Sequence, residues 1–170
     1  MKYAIKHGFR IHKKNLLIIF ALIGGVCFAA DLVKPPVPVS LKFTPAADAK
    51  PGGTVTAVVE VDIKKPWHIF GANPGVEGLT PAELTIDSST GATISQVTPS
   101  KPATVYSKIF QKNLSLYEDK MTFNLTFKID PAAGTGIPLR GSLHYQACSD
   151  TTCLPPKREP FVATQEVVKP

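Results

Sequence analysis

Met121-Thr-Phe-Asn-Leu-Thr-Phe-Lys-Ile129 places Met121, Phe123, Leu125, Phe127 and Ile129 on one face of an extended chain, with other residues alternating between them. A period of two belongs to a strand with one face in a core, because successive side chains of an extended backbone point to opposite sides. Working outward, Glu118-Asp119-Lys120 joins this strand to Leu114 to Tyr117, and the loop Asp130 to Gly136 leads to a strand over Leu139 to Ala147. Val39 to Phe43, the β-branched run Thr54 to Ile63, Glu83 to Ile86, Ala92 to Val97 and Phe161 to Val168 read as further strands. Pro51-Gly52-Gly53, Lys64-Lys65-Pro66, Asp87 to Gly91 and Gly71 to Pro81 punctuate them, whereas Pro99 to Lys112 is less regular and carries Tyr106, Ile109 and Phe110 in a polar setting. No stretch after residue 30 sustains a helical apolar period over three turns, so the expected class is all-β, and strands at this spacing suggest a β-sandwich.

The first thirty residues belong to a different problem. Met1 to Asn15 carries Lys2, Lys6, Arg10, Lys13 and Lys14 and no acid, Leu16 to Phe28 is almost wholly apolar, and Ala29 and Ala30 are small. This is the three-part pattern of a secretory signal peptide, expected at residues 1–30, with an apolar core too short to prefer a full span. Cys27 follows Val26 instead of the small residue that a lipoprotein signal places before its acylated cysteine. Residues 31–38 are proline-rich and read as an extended leader, and 39–170 as one domain. The whole chain has 19 basic and 13 acidic residues, a net charge of +6; without the five basic residues of the signal the balance is 14 to 13, or +1. No dense basic patch remains, which argues against nucleic acid as a partner.

Cutting at residue 30 also leaves two of the three cysteines, Cys148 and Cys153, in Tyr145-Gln-Ala-Cys-Ser-Asp-Thr-Thr-Cys-Leu-Pro-Pro156. An exported chain with one possible pair should be able to form that bond. A disulfide across so short a loop removes only about 2 kcal/mol of unfolded-state entropy, and a pair near a turn is open to in-line attack by a partner thiolate. Spacing alone leaves two readings open, a bland hairpin staple in a binding module and a reagent for exchange. Lys157 and Arg158 would favour a thiolate at Cys153 and Asp150 would oppose it, unless all three are merely solvated. A metal-binding carrier would draw His144 and Cys148, four residues apart on one strand face, together with Cys153 and His68. An oxidising compartment favours the disulfide over this set, so no metal is expected. The chain has no Gly-x-Ser-x-Gly elbow, no His-Glu-x-x-His and no phosphate-cradling glycine loop.

The run Tyr145 to Pro156 resembles the signature of the periplasmic N-terminal domain of DsbD, the membrane thiol:disulfide interchange protein: a tyrosine, a cysteine, a short acidic loop, a second cysteine and a proline pair. Trp67-His68-Ile69-Phe70 with Asn73-Pro74-Gly75, and Phe110 to Phe123, resemble two further segments of that family, and the likeness extends over most of Val39 to Val168. The resemblance implies an immunoglobulin-like β-sandwich in the periplasm whose cysteines, without a cofactor, pass reducing equivalents to thioredoxin-fold proteins of the disulfide isomerase or cytochrome c maturation type. It implies that Cys153 forms the mixed disulfide and Cys148 resolves it. It also implies that Phe110 sits on a cap loop shielding the pair, and that His68, Phe70 and Tyr145 line the site. Lys108 and Ile109 stand where some members place acids before the cap aromatic, so any tuning by acids has to come from elsewhere. Because the sequence ends at Pro170, without a membrane channel or thioredoxin-like domain, a stand-alone module re-reduced by a separate membrane reductase is expected.

Overall fold

The computed structural model describes residues 36–168; the expected signal peptide and residues 31–35 of the expected leader lie outside them. Pro36 to Pro38 has no regular structure, yet Pro38 already belongs to the fold, since it is buried and its carbonyl accepts the Lys64 N–H at 2.8 Å.

The described residues form strands and no helix. In chain order these are β1 (Val39–Thr44), β2 (Thr54–Ile63), β3 (His68–Phe70), β4 (Glu83–Ser89), β5 (Ala92–Pro99) and β6 (Ala103–Ser107). They continue with β7 (Lys112–Glu118), β8 (Lys120–Ile129), β9 (Gly136–Tyr145), β10 (Ala147–Cys148) and β11 (Lys157–Glu166). Three antiparallel sheets result, ordered β1-β2-β8-β5, β11-β9-β4 and β10-β3-β7-β6. One core cluster draws on all three: Val59 and Val61 from β2, Phe123 and Phe127 from β8, Leu139 and Leu143 from β9, and Ile69 and Tyr117 from the third sheet. Each such apolar side chain contributes roughly 1.5–3 kcal/mol by leaving water. The alternation of β8 is fully realised, with Met121, Phe123, Leu125, Phe127 and Ile129 all buried.

Some expected boundaries move for identifiable reasons. β6 lies in the stretch whose sequence looked irregular; it is an edge strand with almost every residue exposed, so no buried face imprints a period on it. β11 starts at Lys157, four residues before the expected Phe161, and its first residues are charged because it too is an edge. The expected strand Leu139 to Ala147 is two strands. β9 begins at Gly136 and stops at Tyr145, and after Gln146 the chain changes sheets to become β10. Pro138 is accommodated within β9 because β4 pairs only from Leu139 onward, leaving the side of the missing N–H open.

Gly141 sits where β9 faces the register shift of β4 between Ile86 and Ser88. A Cβ there would lie 1.9 Å from the Thr85 carbonyl oxygen, which is backbone and cannot rotate away. Gly141→Ala is therefore expected to lower stability by about 1–3 kcal/mol, read as a fall in the urea midpoint with little change in slope.

Candidate redox site

The third sheet uses both of its faces. Ile69, Tyr117 and Ala147 enter the main core. Their neighbours alternate to the other side, where Phe70, Leu114, Leu116 and Cys148 form a second, smaller cluster. Val76 and Leu79 from the loop after β3, and Phe110 from the turn between β6 and β7, cover it. Gly75, at φ 94°, lets that loop lie on β7, since a Cβ there would come within 2.5 Å of the Asn113 carbonyl oxygen. The Ser115 N–H donates to the Pro74 carbonyl at 3.1 Å and fixes the approach.

Cys148 and Cys153 are joined, with an S–S distance of 2.04 Å. Their loop is a small hairpin: the Leu154 N–H donates to the Ala147 carbonyl at 2.9 Å, and the Ser149 N–H to the Thr152 carbonyl at 2.8 Å. The Ser149 hydroxyl oxygen accepts the amide N–H groups of Thr151 and Thr152, both at 3.3 Å, which closes the turn. Gln146 ties this hairpin to the loop after β3, its Oε1 accepting the Thr80 N–H at 3.1 Å and its Nε2 donating to the Leu154 carbonyl at 3.2 Å. The two sulfurs meet different environments, because Cys148 is 1% exposed whereas Cys153 lies at the surface.

A cleft of about 470 Å³ opens beside the disulfide, lined by His68, Tyr106, Ile109, Phe110, Cys148 and Cys153 among others. Phe110 is half-buried, and its N–H donates to the Ser107 Oγ at 3.4 Å across a turn in which Gln111 takes the left-handed φ of 52°. Tyr106 and Ile109, each 61% exposed, face solvent at the rim. His68 pairs across the sheet with Cys148 on one side and Glu118 on the other, and all three line the cleft. Burial lowers the His68 pKa below its ordinary value, while the carboxylates of Glu118 and Asp150 pull it back upward. Phe70 meets the imidazole edge-on, with ring centroids 5.5 Å apart.

Of the residues singled out in the sequence, His68, Phe70, Phe110, Cys148 and Cys153 are thus brought together. Tyr145 is not. It is 1% exposed on β9 and packs in the main core, on the same side as Leu143, so it does not line the cleft. Burial, with the Glu159 carboxylate nearby, pushes its phenol up to about 12. Lys157 is paired with Glu159 at 2.7 Å, and Arg158 reaches the Ser142 Oγ at 3.5 Å, so neither lines the cleft, whereas Asp150 does. His144 and Cys148 do not share a strand face, because the change of sheets at Gln146 puts His144 opposite Glu83 and Arg158. Among the described residues no three His, Cys, Asp or Glu side chains stand close enough to hold a metal ion. Gln146 and Ser149 were not singled out; the polar Gln146 between Tyr145 and Ala147, and a serine opening a four-residue loop, were the available signals.

Fold and site together define an immunoglobulin-like β-sandwich with a hairpin disulfide beneath an aromatic turn. The chain belongs to the family described as the N-terminal domain of the thiol:disulfide interchange protein DsbD, whose sequence profile matches residues 34–165, and so is a thiol–disulfide interchange domain with a cysteine pair. No curated protein sequence matches it. Among solved structures, the N-terminal periplasmic domain of ScsB from Proteus mirabilis has TM-score 0.54 at 19% identity, covering 80% of this chain and 49% of that one. The N-terminal domain of DsbD from Neisseria meningitidis in its reduced form has TM-score 0.48 at 17% identity, covering 80% and 92%. A chain of the complex between the DsbD and PilB N-terminal domains from the same organism has TM-score 0.47 at 18% identity, covering 78% and 87%. The ScsB likeness is one of fold.

The Tyr145 hydroxyl is buried and has no hydrogen-bond partner in the protein. Because the phenol is held neutral up to about 12 in the fold against 10.0 ordinarily, its contribution to stability is complete below pH 10.0 and is lost as pH rises toward about 12. Tyr145→Phe is expected to keep or gain up to about 1 kcal/mol at neutral pH and to reduce that alkaline loss, both read from denaturant midpoints across pH.

Proposed function

We propose that this domain is an exported, periplasmic thiol–disulfide exchange module that passes reducing equivalents to thioredoxin-fold partners. The observation that carries the reading is the unequal exposure of the two sulfurs, Cys153 at the surface and Cys148 buried beneath the turn that bears Phe110. Exchange needs one sulfur that a partner can approach in line and a second that reaches only the first.

In the reduced protein the Cys153 thiolate attacks one sulfur of a partner disulfide, forming a mixed disulfide and releasing the partner's other sulfur as a thiolate. Cys148 then attacks the Cys153 Sγ, closes the intramolecular bond and frees the partner's second thiolate. Two electrons pass from the pair to the partner, and a membrane reductase restores the dithiol by the reverse sequence. Phe110 shields the pair from small oxidants until a partner displaces it, with Tyr106 and Ile109 supplying apolar contact at the rim. His68 and Phe70 line the buried side.

Cys153→Ser is expected to abolish exchange with thioredoxin-fold proteins, and Cys148→Ser to accumulate their mixed disulfides, scored on non-reducing gels; full activity in Cys153→Ser overturns the assignment. The pair is expected to equilibrate with a glutathione series near about −200 mV, whereas a potential below roughly −300 mV identifies a structural staple.

A further inference from the structure

We infer that His68 is the proton acceptor for Cys148 in the step in which this cysteine closes the disulfide and releases a partner. The inference rests on the exchange reading above. Cys148, His68 and Glu118 stand directly opposite one another on β10, β3 and β7, and opposed residues of antiparallel strands lie about 4.5–5.5 Å apart between Cα atoms and on the same face. His68 therefore stands between Cys148 and Glu118 in one cross-strand row, and its edge-on contact with Phe70 restricts the ring. The charged groups that line the cleft with it are Glu118 from β7, Asp150 from the disulfide hairpin and Lys108 from the turn between β6 and β7, and the first two act on its charge.

The chemistry of the second step calls for such a group. Cys148 has to give up a proton before it can attack, and a thiol shut away from water in apolar surroundings does so reluctantly. His68 Nδ1 or Nε2 takes the proton, the sulfur lone pair forms the bond to the Cys153 Sγ, and the bond from Cys153 to the partner breaks with its electrons leaving on the partner's sulfur. The imidazolium, stabilised by Glu118 and Asp150, then returns the proton to the departing thiolate or to water. Atoms and electrons balance without any further reactant. Burial favours the neutral imidazole, which is the form able to accept.

The reduced protein mixed with equimolar dithiobis(nitrobenzoate) releases the chromophore twice, once by attack of Cys153 and again, in a unimolecular phase, when Cys148 displaces it from Cys153. In His68→Gln the second phase is expected to be at least about tenfold slower near neutral pH, with the gap narrowing toward about pH 9 as the thiol ionises unaided. The first phase is expected to change far less. Glu118→Gln, which keeps the imidazole but removes the carboxylate that favours its protonated form, is expected to move the acid limb of the second phase to lower pH. If the histidine is purely structural, the limb is that of the Cys148 thiol alone and is the same in His68→Gln as in the parent. A folded His68→Gln protein whose second phase follows the parent at every pH overturns the inference; if that variant does not fold, an unmoved limb in Glu118→Gln does so. The reagent is not a protein, so a failure to reduce thioredoxin-fold partners leaves this result untouched and counts against the exchange reading alone.

Discussion

The site depends on a sheet that has to bury both of its faces. Along β3, β7 and β10 one face is committed to the main core through Ile69, which stands opposite Tyr117 and Ala147. The intervening residues have no choice but to face the other way, and they include His68, Glu118 and Cys148. An unpaired apolar face of this kind is not stable in water, so the loop after β3 supplies Val76 and Leu79, and the turn after β6 supplies Phe110. The cover over the disulfide is therefore a requirement of the fold before it is a requirement of the chemistry.

The same geometry separates the two sulfurs. Cys148 occupies a strand position and is held by pairing with β3, whereas Cys153 stands on the return arm of a hairpin that has no further strand beside it. Ser149 fixes the turn between them, and Gln146 binds the base of the hairpin to the neighbouring loop. Together they keep the buried sulfur buried and the exposed one exposed, so that the proposed order of attack rests on structure and not on a difference in the intrinsic chemistry of two cysteines.

The class of fold was legible because β8, and β2 before it, each keep one face wholly inside the core, and a period of two survives only where burial enforces it. The cysteine motif was legible for a different reason, its composition within a few residues. Two edge stretches were not: β6 is exposed along nearly its whole length, and the first residues of β11 are charged, so neither carries a period. The change of sheets at Gln146 was hidden as well, since a strand continuing through Ala147 and a strand ending at Tyr145 look alike in sequence. That misreading put His144 on the face of Cys148 when the two belong to different sheets. Tyr145 was set beside the disulfide by the family resemblance, whereas its ring lies in the main core. His68, Phe70 and Phe110, which the family resemblance singled out, are gathered around Cys148 because their segments meet the cysteine hairpin through strand pairing and the covering of one cluster.

The turn that bears Phe110 carries Lys108 and Ile109 where acids occur in some members of the family, and the structure shows where negative charge enters instead. Glu118 comes from the end of β7 and Asp150 from the disulfide hairpin, and both act on His68. Placing the charge there has a mechanical consequence. A turn that opens for a partner would carry its own acids away at the moment the sulfurs react, and the field at the site would change with it. Glu118 belongs to a paired strand and Asp150 to a hairpin closed by Ser149, so neither carboxylate is positioned by the turn that bears Phe110. In the proposed mechanism shielding and proton transfer thereby fall to different elements, the first to a turn at the edge of the sheet and the second to the sheet itself.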